Sequence, residues 1–290
     1  MIGYRVITGA LGRLAFVSVA ITLVLVGCGS SQQASATDQS VQVTTQTASA
    51  VLRHMPRGAV LLTWTPDNQT LNVSVRLYGL APNSTHPAQI RTGGCSKQGS
   101  VLYTLHSLVA NAYGVAAMTT QIKDVRHGIP ASGWLVIVHN GPGLSPAIQY
   151  LPIACGDITN PAHSTTSKQQ IPVPLMAVPG SGFSENAAGS AHLQLSKDTL
   201  TVRLTMSGLA PNSTHAAHIH TGSCQRQGPV IYPLDAVKAD ASGDATVTTT
   251  IHNVKTIPAS GWYVNVHQGT DLSTQTGFDP IACGNVQKSS

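Results

Sequence analysis

Leu200-Thr-Val-Arg-Leu-Thr-Met206 decides the fold. Leu200, Val202, Leu204 and Met206 alternate with Thr201, Arg203 and Thr205. Successive side chains of a strand point to opposite faces, so this stretch reads as a strand with one face in a core and the other toward water. Leu71, Val73, Val75 and Leu77 repeat the pattern earlier in the chain. Turn residues (Gly, Pro, Asn, Asp) punctuate the intervals, and no helical period is sustained. The expectation is an all-β protein built as an antiparallel sandwich or barrel.

The two strands belong to two copies of one unit. GLAPNSTHPAQIRTGGC (79–95) is answered by GLAPNSTHAAHIHTGSC (208–224), and Ile-Pro-Ala-Ser-Gly-Trp stands at both 129–134 and 257–262. Duplication on this scale predicts two tandem domains of about 100 residues each. Their expected limits are 49–158 and 187–287, joined by a Pro-, Ser-, Thr- and Gly-rich linker at 159–186. Cys95 and Cys155 fall in the first copy, Cys224 and Cys283 in the second. One pair per copy reads as one disulfide per domain in an oxidising compartment. Thiolate metal binding is the rival reading, and no Cys-x-x-Cys pair supports it.

The N-terminus bears on the compartment. Arg5 and Arg13 accompany an apolar run from Leu14 to Val26, short for a membrane span and laid out like a secretory signal peptide. The run ends in Leu25-Val26-Gly27-Cys28, which resembles the bacterial lipobox. That resemblance implies a signal peptide over 1–27 and a lipid on Cys28, anchoring the chain to the membrane on its extracytoplasmic face, in the periplasm or at the cell surface. An ordinary signal peptide that happens to contain a cysteine is the alternative. The Ser-, Gln- and Thr-rich stretch 28–48 reads as a flexible tether. Only 9% of residues are charged, with a formal excess of +5. Lys and Arg are scattered, without the runs or interleaved aromatics used on nucleic acid, so nucleic acid is not an expected partner.

Chemistry concentrates where the copies differ. The second has His218 and His220 where the first has Gln89 and Arg91. On a strand both histidines share one face, opposite Ala217 and Ile219, which leaves the imidazoles on the outer side of the sheet. Trp262-Tyr-Val-Asn-Val-His267 sorts likewise, with Trp262, Val264 and Val266 inward and Tyr263, Asn265 and His267 outward. Three imidazoles from two strands make a candidate copper or zinc site. The first copy keeps His139 but surrounds it with Leu135 and Ile137. His-x-His on an exposed face can also be a pair of solvated side chains; His267 and the loss of the pair from the first copy argue for metal.

His215-Ala-Ala-His218-Ile-His220 with Cys224, Lys238-Ala-Asp-Ala-Ser-Gly-Asp-Ala-Thr-Val247, Val264-Asn-Val-His267 and Ile281-Ala-Cys283-Gly284 together resemble copper/zinc superoxide dismutase in order and spacing. The resemblance spans the second copy and, degraded, the first. It implies eight-stranded Greek-key β-barrels, a Cys224–Cys283 bond, copper ligands at His218, His220 and His267, and supporting residues beside them at His215 and Asp271. His86, which matches His215 in the copy without ligands, points to a structural hydrogen-bonding role for both. His218-Ile-His220 and Tyr263-Val-Asn-Val-His267 also resemble the chordin-type (CHRD) domain, without its usual C-terminal Gly-Glu-x-Arg-Gly. Departures from the dismutase pattern are marked. Gln225 to Val237 holds no histidine and only Asp235 as an acid, so zinc is not expected. Pro280 stands where the family has a substrate-guiding arginine; Arg226 and Lys255 are the nearest substitutes in charge. Two functions follow as expectations. One is a copper-dependent dismutation of superoxide; the alternative is a non-catalytic module for copper binding or cell-surface interaction.

Overall fold

A computed structural model describes residues 44–178 and 184–289. The signal peptide, Cys28 and most of the tether lie outside the described residues, as do 179–183 of the linker. No helix among the described residues is long and apolar enough to cross a membrane.

The first repeat supplies β1 (Gln46–His54), β2 (Arg57–Thr65), β3 (Thr70–Tyr78), β4 (Ala88–Gly94), β5 (Lys97–Thr104), β6 (Val115–Ile122), β7 (Trp134–His139) and β8 (Pro152–Ile158). The second supplies β9 (Gln169–Ala177), β10 (Ser184–Ser196), β11 (Thr199–Leu209), β12 (Thr214–Ser223), β13 (Arg226–Lys238), β14 (Ala245–His252), β15 (Trp262–His267) and β16 (Pro280–Asn285). One short helical turn precedes the last strand of each repeat: α1 (Ala147–Tyr150) and α2 (Gln275–Phe278). The chain is all-β, as the alternation predicts, and its sheets curl into a near-closed barrel and a half-barrel.

One sheet runs β5-β4-β7-β8-β9-β2-β3-β6; the other runs β13-β12-β15-β16-β1-β10-β11-β14, with the two-residue strand Gln287–Lys288 added beside β1. Neighbours such as β3 with β6, or β12 with β15, are separated by intervening strands in sequence, the interleaving of a Greek key. Side-chain hydrogen bonds span the two ends of each sheet. The backbone N–H of His106, just beyond β5, donates to Thr120 Oγ1 of β6 at 2.8 Å. Asp235 N of β13 donates to Thr249 Oγ1 of β14 at 2.8 Å.

The two orders are the same except that β1 and β9 have changed places. The first strand of each repeat closes the sheet of the other. Ala48, Ala50 and Leu52 face Leu193, Ala191 and Gly189, and enter the core built by Leu200, Val202, Leu204 and Met206. Val173 and Leu175 face Val60 and Gly58 and enter the core of Leu62, Trp64, Val73 and Leu77. Residues 169–177 are therefore a paired strand rather than part of a linker, and the strand beginning at Gln46 takes in the last residues assigned to the tether. Composition misleads here because of Pro172 and Pro174. A proline cannot donate to a ladder, yet both pair in register with β2, while β8 meets β9 only at Ala177 and Met176. Both prolines lie beyond the two β9 residues that β8 pairs.

Both expected disulfides form, Cys95–Cys155 and Cys224–Cys283. Cys95 and Cys224 each follow a hairpin strand directly, and the bonds tie them to β8 and β16 of the same sheets.

Candidate metal centre

The hairpin β12–β13 and strand β15 bring the three histidines together. Ala217, Ile219, Val264 and Val266 point into the core, so the intervening His218, His220 and His267 stand on the outer face, as the alternation requires. Gly222 makes the hairpin possible. Its φ of +99° and a backbone carbonyl only 2.5 Å from any added Cβ admit glycine alone without strain. The turn returns the carbonyl of Gly228 to β12, where it meets His220.

Outer face does not mean solvent. His220 is 2% exposed and His267 fully buried, with His218 partly so. The segment between β15 and β16 folds over them, and the first repeat holds that segment down. Asp279 Oδ1 accepts from Ala81 N at 2.8 Å. Thr85 N donates to Gln275 Oε1 at 3.0 Å, and Gln275 Nε2 donates to the carbonyls of Thr85 and Asn140.

The hydrogen bonds fix which nitrogens are free. A carbonyl only accepts, so His220 Nδ1, 3.0 Å from Gly228 O, and His267 Nδ1, 2.6 Å from Phe278 O, carry the protons. In both rings Nε2 keeps its lone pair, is buried, and has no partner; His218 Nδ1 is also buried and unpaired. The three rings each offer one ligand atom, and these atoms lie within 4.8 Å of one another. Leaving three buried nitrogens unpaired costs roughly 1–3 kcal/mol apiece. A shared cation removes that cost.

Burial keeps the rings neutral. Burial lowers the pKa of all three: His267 to about 3, opposed by the Phe278 carbonyl, and His220 to about 4, opposed by the Gly228 carbonyl. All are neutral near pH 7 with lone pairs available, the form a metal needs.

The first repeat has the same frame without the site. His139 Nδ1 lies 2.6 Å from Tyr150 O, as His267 does from Phe278 O. His139 Nε2, however, faces the side-chain amide of Gln89 at 3.3 Å. Arg91 Nε donates to Gly99 O at 3.0 Å, replacing the His220–Gly228 bond, and Arg91 Nη1 donates to Tyr150 Oη at 2.7 Å. The first repeat thus keeps one imidazole of the three, His139, with its Nε2 against the Gln89 side chain and Arg91 bonded to Gly99 and Tyr150.

His215 joins this frame as a structural residue. Its Nε2 pairs with Ser213 Oγ at 2.6 Å, and its Nδ1 meets the carbonyls of His267 and Gln268 at 3.0 and 2.9 Å. His86 does the same with Ser84 and His139. Asp271 is not brought to the imidazoles: it is exposed and accepts from Ser273 N and Oγ within its own turn. Arg226 lies over the Tyr113 ring at 3.7 Å, and Lys255 pairs with Asp198. Both are thus engaged away from the imidazoles, with Tyr113 and Asp198. Sequence reasoning missed Phe278, Gly228 and Gln275, which orient or cover the imidazoles. Only alignment of Phe278 with Tyr150 and of Gly228 with Gly99 carries a trace of the first two.

The lowered pKa values set a pH dependence. His54, His86 and His220 are each lowered to about 4 and His267 to about 3, in every case chiefly by burial. Between the unfolded value near 6.5 and pH 4 the unfolded chain takes up protons that the folded chain refuses, so stability falls as pH drops through this window. Asp279, raised to about 7 by burial, acts with the opposite sign, but as one group against at least four. Denaturant titration of the metal-free protein should show falling stability from pH 6.5 to 4; a flat profile would contradict these burial assignments.

Comparison with curated proteins finds no match. The family model of the CHRD domain matches residues 165–271, from just before β9 through the third histidine. The match supports the chordin-type resemblance and says nothing for the superoxide dismutase one. The chain contains a CHRD domain at residues 165–271.

Proposed function

We propose that this protein is a non-catalytic β-barrel module that binds one copper ion through His218, His220 and His267. The observation that carries the reading is the set of three buried, neutral, unpaired imidazole nitrogens, a set the first repeat lacks because Gln89 and Arg91 replace two of the rings. All-imidazole ligation suits copper and zinc, and divalent affinity peaks at copper in the first-row order. The two disulfides agree with a location outside the cytoplasm, and the lipobox-like Leu25-Val-Gly-Cys28 with a lipid anchor there.

Copper loading of the purified protein, followed by exhaustive dialysis and metal analysis, tests this. Retention of one copper per chain, with zinc as a weaker competitor, is the expected result. Trace copper only would leave an interaction module without metal. A superoxide assay on the loaded protein separates carrier from catalyst. With Pro280 in place of a guiding arginine and both nearby cations engaged elsewhere, the rate should not exceed that of free buffer.

A further inference from the structure

Asn265 is the least explained side chain near the cluster. It is fully buried, and both its amide atoms, Nδ2 and Oδ1, lack a hydrogen-bond partner. The register defines its place. It stands directly across from His218 on the same outer face, with Tyr263 opposite His220 on one side of it and His267 two residues along on the other. Residues two apart on a strand and opposite across a pair are nearest neighbours on a sheet face. Asn265 is thus the floor on which the three imidazoles stand. In the first repeat this position is Ile137, packed with Leu135 and Cys155 under a cluster that has no free nitrogen. The apolar residue fills the space well there, so packing does not ask for an amide.

An amide kept unpaired in such surroundings is costly, and it appears only in the repeat with free imidazoles. Three protein ligands leave a copper position for a molecule from outside. We infer that Asn265 hydrogen-bonds a fourth, exchangeable ligand of the bound metal, a water that a small anion can replace. Its Oδ1 accepts from the water, and its Nδ2 donates to an anion. Tyr263, whose ring stacks on His220 at 4.9 Å, borders the same floor. Asn265 is a positioning residue in this scheme, and the inference rests on the metal reading above.

Azide titration of the copper(II)-loaded protein tests it, read by the azide-to-copper charge-transfer band and by the electron paramagnetic resonance spectrum. Asn265→Ile installs the first repeat's own residue, and Asn265→Ala is the smaller alternative should the isoleucine disturb folding. Both variants should hold copper as the wild type does but bind azide about 10–100-fold more weakly, the loss expected for a hydrogen bond to a charged partner. Equal azide affinity in wild type and variants overturns the inference, as does a copper-loaded wild type that binds no azide. Loss of copper from both variants also overturns it, since Asn265 would then hold the metal or the imidazoles. A wild type without copper instead overturns the metal reading, and this inference falls with it.

Discussion

Changing Gln89 and Arg91 to histidine is expected to give the first repeat a copper site of its own, so that the chain takes up a second ion. The frame is already there. His139 is oriented by the Tyr150 carbonyl at the same 2.6 Å that separates His267 from Phe278 O. Gly99 offers the carbonyl that Gly228 offers to His220, and Arg91 Nε now uses it. Gln89→His removes the amide that occupies His139 Nε2. Arg91→His removes a cation that disfavours metal and supplies the third nitrogen. The reciprocal change, His267→Ala, should strip copper from the second repeat. The loss should exceed the 10–100-fold that removal of a supporting hydrogen bond costs, because a ligand itself is gone. Metal analysis of the double variant in the His267→Ala background separates the sites: copper should return, now in the first repeat. If the double variant holds no more copper than wild type, occupancy of the nitrogens by Gln89 and Arg91 is not what distinguishes the repeats.

The site was legible in the sequence to the extent that it depends on alternation. His218, His220 and His267 fall on one face because Ala217, Ile219, Val264 and Val266 fall on the other, and the structure obeys this. What alternation cannot express is what lies above a face. Alternation puts the imidazoles on the outer side of the sheet, yet two of them are buried, and Gln275 and Asp279 fasten the segment before β16 to Ala81, Thr85 and Asn140. Those contacts join residues 135 to 198 positions apart, and no local pattern announces them. Asp271 illustrates the opposite error. Its place four residues after His267 matches a family position, but the carboxylate spends its hydrogen bonds on Ser273, two residues on.

The exchange of β1 and β9 was invisible for a physical reason, and it yields the second large effect. Ala48-Ser-Ala-Val-Leu52 and Ile171-Pro-Val-Pro-Leu175 each present an alternating apolar face, and the pattern alone does not say which sheet either serves. Which one does is decided by the connection. Met55 and Pro56 alone separate β1 from β2, and Met55 N is already bonded to Ile281 O of the second repeat at 3.0 Å. Val178 N bonds Ile153 O of the first in the same manner, at 3.3 Å. Leu52, 1% exposed, lies in the core beneath the histidine cluster although its sequence belongs to the first repeat; Leu175, fully buried, lies in the other core. Truncating either to alanine should cost about 2–5 kcal/mol, but in opposite places. Leu52→Ala should weaken amide protection in β10 to β16 and loosen copper. Leu175→Ala should weaken protection in β2 to β8 and leave copper in place. Hydrogen exchange resolved by segment reads both. If Leu52→Ala instead opened β2 to β8, each repeat would be keeping its own first strand, and the metal centre would owe nothing to the first repeat's sequence beyond the segment that covers it.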